Sequence, residues 1–233
     1  MDEQAVPTAG RIRLTRQKVL DAALHLVDSD GADGLTMRRL GQALDCDPMT
    51  LYRYAENRAA LLDGVAETVL VQLVIPADHS GWETRLRTAG HDFRRLALAH
   101  PNVVPLIVAR PLATPLGLRP VGTLRPLEQI LALLVDAGFA PDQALHIYRA
   151  YFGLLHGHVL HELQEVLVDP EATDALLRLG LDRLPPDEFP HIRSLADALL
   201  AGYDGKAELD RGLDILLDGL RAERPTALLE GRG

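Results

Sequence analysis

Nineteen consecutive residues, Thr36 to Tyr54 (TMRRLGQALDCDPMTLYRY), constrain this chain more than any others. They read as two short helices joined by a tight turn. Leu35 and Leu40 flank a Thr36 N-cap at the N′ and N4 positions, the spacing of a hydrophobic staple. Leu40, Ala43 and Leu44 then share one helical face. Gly41 lacks a side chain, so a second helix can approach closely there. Asp45-Cys46 makes the turn, because Asp tolerates the left-handed backbone that ends a helix. Asp47 is the next N-cap, with Pro48 at N1, where its missing N–H costs nothing. The second helix spans about two turns, Pro48 to Tyr54. Leu51 anchors it inward, leaving Met49, Thr50, Arg53 and Tyr54 to point outward.

This spacing predicts a helix-turn-helix. In such a unit the second helix lies in the DNA major groove, its N-terminal residues at base edges and phosphates. Unpaired N–H groups at a helix start also attract phosphate. The same pattern is compatible with an ordinary helical hairpin in a bundle, with Tyr52 and Tyr54 as core residues.

Composition narrows the class. Nearly half of the 233 residues are apolar, aromatics are few, and Leu and Ala dominate, which favours helices packed through aliphatic side chains. No apolar run approaches the roughly 18 residues of a membrane span, so no membrane partner is expected. The N-terminal MDEQAVPTAG has no apolar h-region, and a cytoplasmic location is expected. The single Cys46 excludes an intrachain disulfide and any cysteine-rich metal site. The net charge of −9 argues against a nonspecific coat on nucleic acid. Residues 1–60, however, hold 8 of the 24 Lys and Arg but only 9 of the 33 Asp and Glu, so the acidic excess lies elsewhere. Arg38, Arg39, Arg53 and Arg58 supply local positive charge.

Along the chain, residues 1–14 read as a flexible lead carrying Arg11 and Arg13. A first helix covers 15–29, with the stripe Val19, Ala22, Ala23, Leu26 and Val27. The cluster Asp30-Gly31-Ala32-Asp33-Gly34 ends it. Asn57 caps a long helix from Arg58 to about Val74, with Leu61, Leu62, Val65 and Val69 inward and Pro76 beyond it. Arg58 at its first position is placed to meet a phosphate.

Residues 15–70 resemble the N-terminal domain of the TetR (tetracycline repressor) family of bacterial regulators. The resemblance rests on Leu24-His25-Leu26-Val27, Gly34 to Leu40, Thr50-Leu51-Tyr52 and Asn57 to Leu62. It implies a homodimer that reads a palindromic operator in double-stranded DNA. It also implies release when a small-molecule effector binds the C-terminal domain. By position, Arg38, Met49, Thr50, Tyr52, Arg53, Tyr54 and Arg58 match residues that meet DNA in that family. Asp45 replaces a glycine common in the turn, and Arg53 with Tyr54 alters the reading positions, so no operator sequence carries over.

The rest reads as helices punctuated by proline. One runs from Ser80-Gly81-Trp82 to about Ala99, with Leu86, Phe93, Leu96 and Ala97 inward. Asn102 caps a short helix that Arg110-Pro111 ends. Thr123 caps another, with Pro126 at N3 and Gly138 at C′. Pro141 starts a long helix to about Val168, and further helices are expected at 171–179, 190–201 and 206–222. The organisation expected is all-α: a helix-turn-helix DNA-binding domain at 15–57, a connecting helix at 58–75, a larger helical bundle for ligand binding and dimerisation at 76–224, and a frayed tail at 225–233. Leu145, Tyr148, Phe152, Leu155 and Val159 cover one side of the long helix, and Tyr151, Leu154 and Leu163 another. A helix apolar on two sides is buried on both, within a domain or against a second subunit. Leu213, Leu216, Leu217 and Leu220 make a similar stripe near the C-terminus. Phe93-Arg94, Arg110-Pro111, Ala137-Gly138-Phe139 and Gly212 to Leu216 resemble the tetracycline-repressor branch of the family, which implies a dimer formed by the eighth and last helices.

Resemblance to that branch also places Phe93, His100, Arg110, Tyr148, Phe152 and His156 on the helices that enclose its ligand. Apolar walls with few polar groups suit a small-molecule pocket, and the same residues suit ordinary packing. His158, His161, Glu162 and Glu165 share one helical stripe, and imidazoles with carboxylates can bind zinc or nickel. The segment is not H-E-x-x-H, however, and the reading assigns neither metal nor cofactor. Where the branch holds a ligand-bound magnesium with a histidine and a glutamate, this chain has Ile107 and His161, so a tetracycline–magnesium chelate is not expected. No G-x-S-x-G, phosphate-cradling glycine loop or paired-cysteine motif points to an enzyme. A helical enzyme or metal-binding protein that kept the helix-turn-helix for structure, and an activator of the same fold, are the alternatives.

Overall fold

Four side-chain caps determine where the first helices begin. The Thr15 hydroxyl accepts from Lys18 N–H, starting α1 (Arg16–Gly34). Thr36 Oγ1 accepts from Arg39 N–H at 3.2 Å and starts α2 (Met37–Ala43). Asp47 Oδ1 accepts from Met49 N–H at 2.7 Å and starts α3 (Pro48–Leu51). Asn57 Oδ1 accepts from Ala60 N–H at 2.9 Å and starts α4 (Arg58–Leu70). Each satisfies a donor that the helix itself leaves orphaned. The computed structural model describes residues 14–113, 119–166, 170–200 and 202–223. The expected lead at 1–13, with Arg11 and Arg13, and the tail at 225–233 lie outside the described residues.

Downstream run α5 (Trp82–Ala99), a 3₁₀ turn (Pro101–Val103), α6 (Val104–Ala113), α7 (Val121–Asp136) and α8 (Pro141–Val166). Then follow α9 (Pro170–Arg183), α10 (Pro190–Ser194), α11 (Ala196–Leu200) and α12 (Gly205–Glu223). The described residues contain no strand. An N-terminal helix-turn-helix domain thus precedes a larger helical domain. Among the described residues, no helix is long and apolar enough to cross a membrane.

Val19, Ala23 and Val27 of α1 are fully buried with Leu40, Leu51, Leu61 and Val65. They join α1 to α4 around one small core, where each buried Leu or Val contributes about 1.5–3 kcal/mol. In the larger domain, α5 packs against α8 and α12. Tyr151 of α8 is 1% exposed, and its hydroxyl donates to Leu86 O of α5 at 2.7 Å. Arg87 Nη1 and His91 Nε2 of α5 reach Asp210 Oδ1 of α12 at 3.3 and 2.8 Å.

Several boundaries differ from the sequence reading. The turn cluster at 30–34 is a kink at Gly31, φ 72°, followed by a last helical turn to Gly34. α3 is four residues long, and the chain leaves it through a turn before Tyr54. α4 ends at Leu70, short of Val74. Asp92 Oδ2 of α5 accepts the Val74 N–H at 2.8 Å, while Leu73 and Ile75 turn inward. Asn102 caps no helix, because it lies inside the 3₁₀ turn Pro101–Val103 that runs directly into α6; its Nδ2 donates to Asp28 O of α1 at 2.9 Å. α6 continues through Pro111 to Ala113. α7 begins at Val121, ahead of the Thr123 cap, so Pro126 falls inside the helix. Gly138 adopts φ 99° after α7, as a C′ glycine does.

Candidate nucleic-acid interface and effector site

The turn between α2 and α3 closes through backbone. Cys46 N–H donates to Gly41 O at 2.9 Å, and Asp45 takes φ 48°. A Cβ on Gly41 would lie 2.8 Å from Cys46 O and 3.2 Å from Pro48 Cγ, so only glycine allows this approach. Leu51 is fully buried, which rolls the rest of α3 outward. Met49 is 72% exposed and Tyr52 48%; Arg53 and, on α2, Arg38 are also exposed. Thr50 is half-buried beside them.

Two expected contact residues are turned to other work. The Tyr54 ring packs on the core and its hydroxyl donates to Leu14 O at 2.9 Å, so it does not point outward as the sequence reading had it. Arg58 Nε donates to Leu35 O at 2.7 Å and its Nη2 to Ala32 O at 2.6 Å. That guanidinium satisfies carbonyls of the α1–α2 connection. Arg39 does similar work there, donating to Gly34 O at 3.1 Å and pairing with Asp30. None of these long-range partners has a short-range sequence signal.

A cluster of rings forms where α8 faces α5. Phe93 of α5 lies 6.0 Å from the Phe152 ring and 5.6 Å from the His156 ring, centroid to centroid. Tyr148 stands 4.7 Å from Phe152. Burial pushes the His156 imidazole below its ordinary value and the Tyr148 phenol above its own, with Arg119 opposing the latter. At neutral pH the cluster therefore offers two apolar rings, one phenol and one uncharged imidazole.

The other expected ligand residues fall elsewhere. His100 Nδ1 meets Asp28 Oδ2 of α1 at 2.9 Å, joining the two domains and standing apart from the rings. The Arg110 side chain lies outside the described residues. Ile107 is buried on α6, and the exposed His161 stacks edge-on against Tyr203 at 5.3 Å. Glu162 is 4% exposed and takes a bidentate grip from Arg94 of α5, with Nε at 2.8 Å. His158 Nε2 lies 3.4 Å from the same carboxylate. Burial lowers the His158 value, against the pull of Glu162. Among the described residues, no three His, Cys, Asp or Glu side chains gather in a form that could hold a metal ion. The Glu165 side chain lies outside them.

A capped, exposed turn-helix carried on its own small domain defines the class as a helix-turn-helix protein, whose second helix is built to enter a DNA groove. Comparison with known proteins gives the particular family. Residues 75–224 match the family described as tetracyclin repressor-like, C-terminal domain, and residues 19–65 match bacterial regulatory proteins, tetR family. The class C tetracycline repressor of Escherichia coli is 30% identical over 220 residues, spanning 92% of this chain and 94% of that protein. The class D repressor of the same organism is 29% identical over 222 residues, 94% of each. ActR of Streptomyces coelicolor, solved in complex with actinorhodin, superposes with a TM-score of 0.77 at 26% identity, over 91% of this chain and 98% of ActR. The chain belongs to the TetR family and is a ligand-responsive, DNA-binding transcriptional repressor.

Proposed function

We propose that the protein works in the cytoplasm as a homodimer that grips a palindromic operator and releases it when a small organic effector enters beside the α5–α8 ring cluster. The observation that carries this reading is the outward face of the α2–α3 unit: Arg38, Met49, Thr50, Tyr52 and Arg53 stand on one capped, braced turn. Tyr54 and Arg58 serve the same surface from behind, holding Leu14 and the α1–α2 connection against it. Phe93, Tyr148, Phe152 and His156 form the effector wall. Arg110 belongs to the effector region by resemblance, and His100 acts at the domain joint. Residues 15–57 act as the reading domain, 58–75 as its lever and 76–224 as the sensing and dimerising part. α8 and α12 supply the dimer contact, as the exposed Leu160 and Ile215 on their outer faces suggest. ActR, solved in complex with actinorhodin, supports a small-molecule effector. No metal or cofactor enters this scheme.

The test is selection from randomised duplex DNA, followed by sequencing and salt titration. A palindrome with half-sites about 34–36 Å apart is expected, bound with a steep inverse dependence on salt. The Arg53→Ala protein should lose preference at one position of each half-site, about 1–3 kcal/mol of discrimination. Enrichment of no duplex at any salt concentration would overturn the reading.

A further inference from the structure

The joint between the two domains contains a contact remote from both the outward α2–α3 face and the ring cluster. Glu67 lies near the end of α4. Its Oε1 accepts the backbone N–H of Gly122 at 2.9 Å. Gly122 is the second residue of α7, so that N–H has no acceptor within its own helix. The N-cap residue of α7 is Pro120, which offers no side-chain cap. A carboxylate from α4 thus caps α7 and meets the positive end of its dipole. The other oxygen, Oε2, lies 3.4 Å from Nη2 of Arg16, the first residue of α1. One side chain therefore touches three helices, two of which frame the helix-turn-helix unit and one of which belongs to the larger domain.

Position 122 is fitted to this contact. A Cβ there would stand 2.4 Å from Glu67 Oε1 and 2.5 Å from its Cγ. Beside the contact lies a cleft lined by Arg16, Leu20, Thr68, Val71, Val121 and Arg125. The capping bond crosses from α4 to α7 next to open space.

We propose that Glu67 is a positioning residue for operator recognition: by capping α7 and holding Arg16, it sets the angle of the reading domain and so the half-site spacing that a dimer accepts. The inference rests on the regulator reading above. Glu67 touches no base in this scheme, so it governs spacing and leaves half-site sequence alone.

The experiment uses the full-length protein and a duplex library in which two selected half-sites are separated by varied numbers of base pairs. The wild type is expected to favour one spacing over its neighbours by about tenfold. Glu67→Ala and Gly122→Ala should reduce that preference to about threefold or less, or move it to another spacing, with the same half-site sequence. Glu67→Gln keeps an oxygen facing the Gly122 N–H and should keep the wild-type spacing. An alanine at 122 displaces the Glu67 side chain from Cγ outward; alanine itself suits a helix, and thermal unfolding of both alanine variants, expected to stay cooperative, separates a spacing change from a loss of fold. Wild-type spacing in both alanine variants overturns the proposal, as does a loss in Glu67→Gln equal to that in Glu67→Ala. A wild type that enriches no duplex at all fails earlier, at the regulator reading.

Discussion

Arg58 illustrates how one side chain divides between two demands. Its side chain is 42% exposed, yet two guanidinium nitrogens sit 2.7 and 2.6 Å from Leu35 O and Ala32 O. A hydrogen bond from a charged donor contributes about 1.5–3 kcal/mol when shielded, and exposure reduces that. Arg58→Ala is therefore expected to lower unfolding stability by about 1–2 kcal/mol in urea melts. The slope of log affinity against log salt should change by less than about one unit. A full-unit change without lost stability would return Arg58 to the phosphate contacts. His156 gives a residue-scale dependence on pH. Burial lowers its value in the folded chain, so between that value and the ordinary one near 6.5 the unfolded state binds more protons. Stability then rises with pH through this window and is complete above about 6.5. His156→Leu should flatten part of this acid-side loss in melts taken across the window. His158, shifted in the same direction, retains the remainder.

At the scale of the element, the α2–α3 turn depends on what fits at Gly41. The atom a Cβ would strike is a backbone oxygen, Cys46 O, and the turn's own 2.9 Å hydrogen bond starts from the same residue. Nothing there can swing aside. Gly64 differs, since its added Cβ would meet a methyl group of Leu20 that can rotate. Gly41→Val is expected to cost about 1–3 kcal/mol and to weaken DNA binding at every sequence, because α3 is displaced as a whole. Calorimetry and a titration against the selected duplex measure the two effects. Unchanged affinity in a destabilised protein would show that α3 keeps its place without the turn.

Across the whole molecule, charge holds α5, α8 and α12 in place. Glu162 is 4% exposed, and its grip from Arg94 compensates a charge that burial would otherwise penalise. Arg94→Met removes the partner and leaves a buried carboxylate beside His158, at a cost of about 3–5 kcal/mol. Urea unfolding should show this loss, and Arg94→Met with Glu162→Gln should recover part of it. A single variant as stable as the wild type would mean that water reaches Glu162. His100 and Asn102, just after α5, then tie to Asp28 of α1, and Glu67 ties α4 to Gly122 of α7.

The sequence alone was enough to place the starts of α2, α3 and α4 and the turn between α2 and α3. Thr36, Asp47 and Asn57 act within three residues of themselves, and Asp45 and Gly41 respond to local backbone demands, so their roles are written locally. Leu51 was legible as the inward anchor because its helix repeats every 3.6 residues. The ring cluster was half legible: Phe93, Tyr148, Phe152 and His156 meet, whereas His100 turned to a partner 72 positions away. Tertiary packing decided the rest. Tyr54 reaches Leu14, Arg58 reaches Leu35, and Glu67 caps a helix 55 positions downstream, starting it ahead of Thr123. Such bonds form only after apolar faces have brought the helices together. A side chain takes whichever orphaned carbonyl or N–H the packing delivers, and no local pattern names that partner in advance.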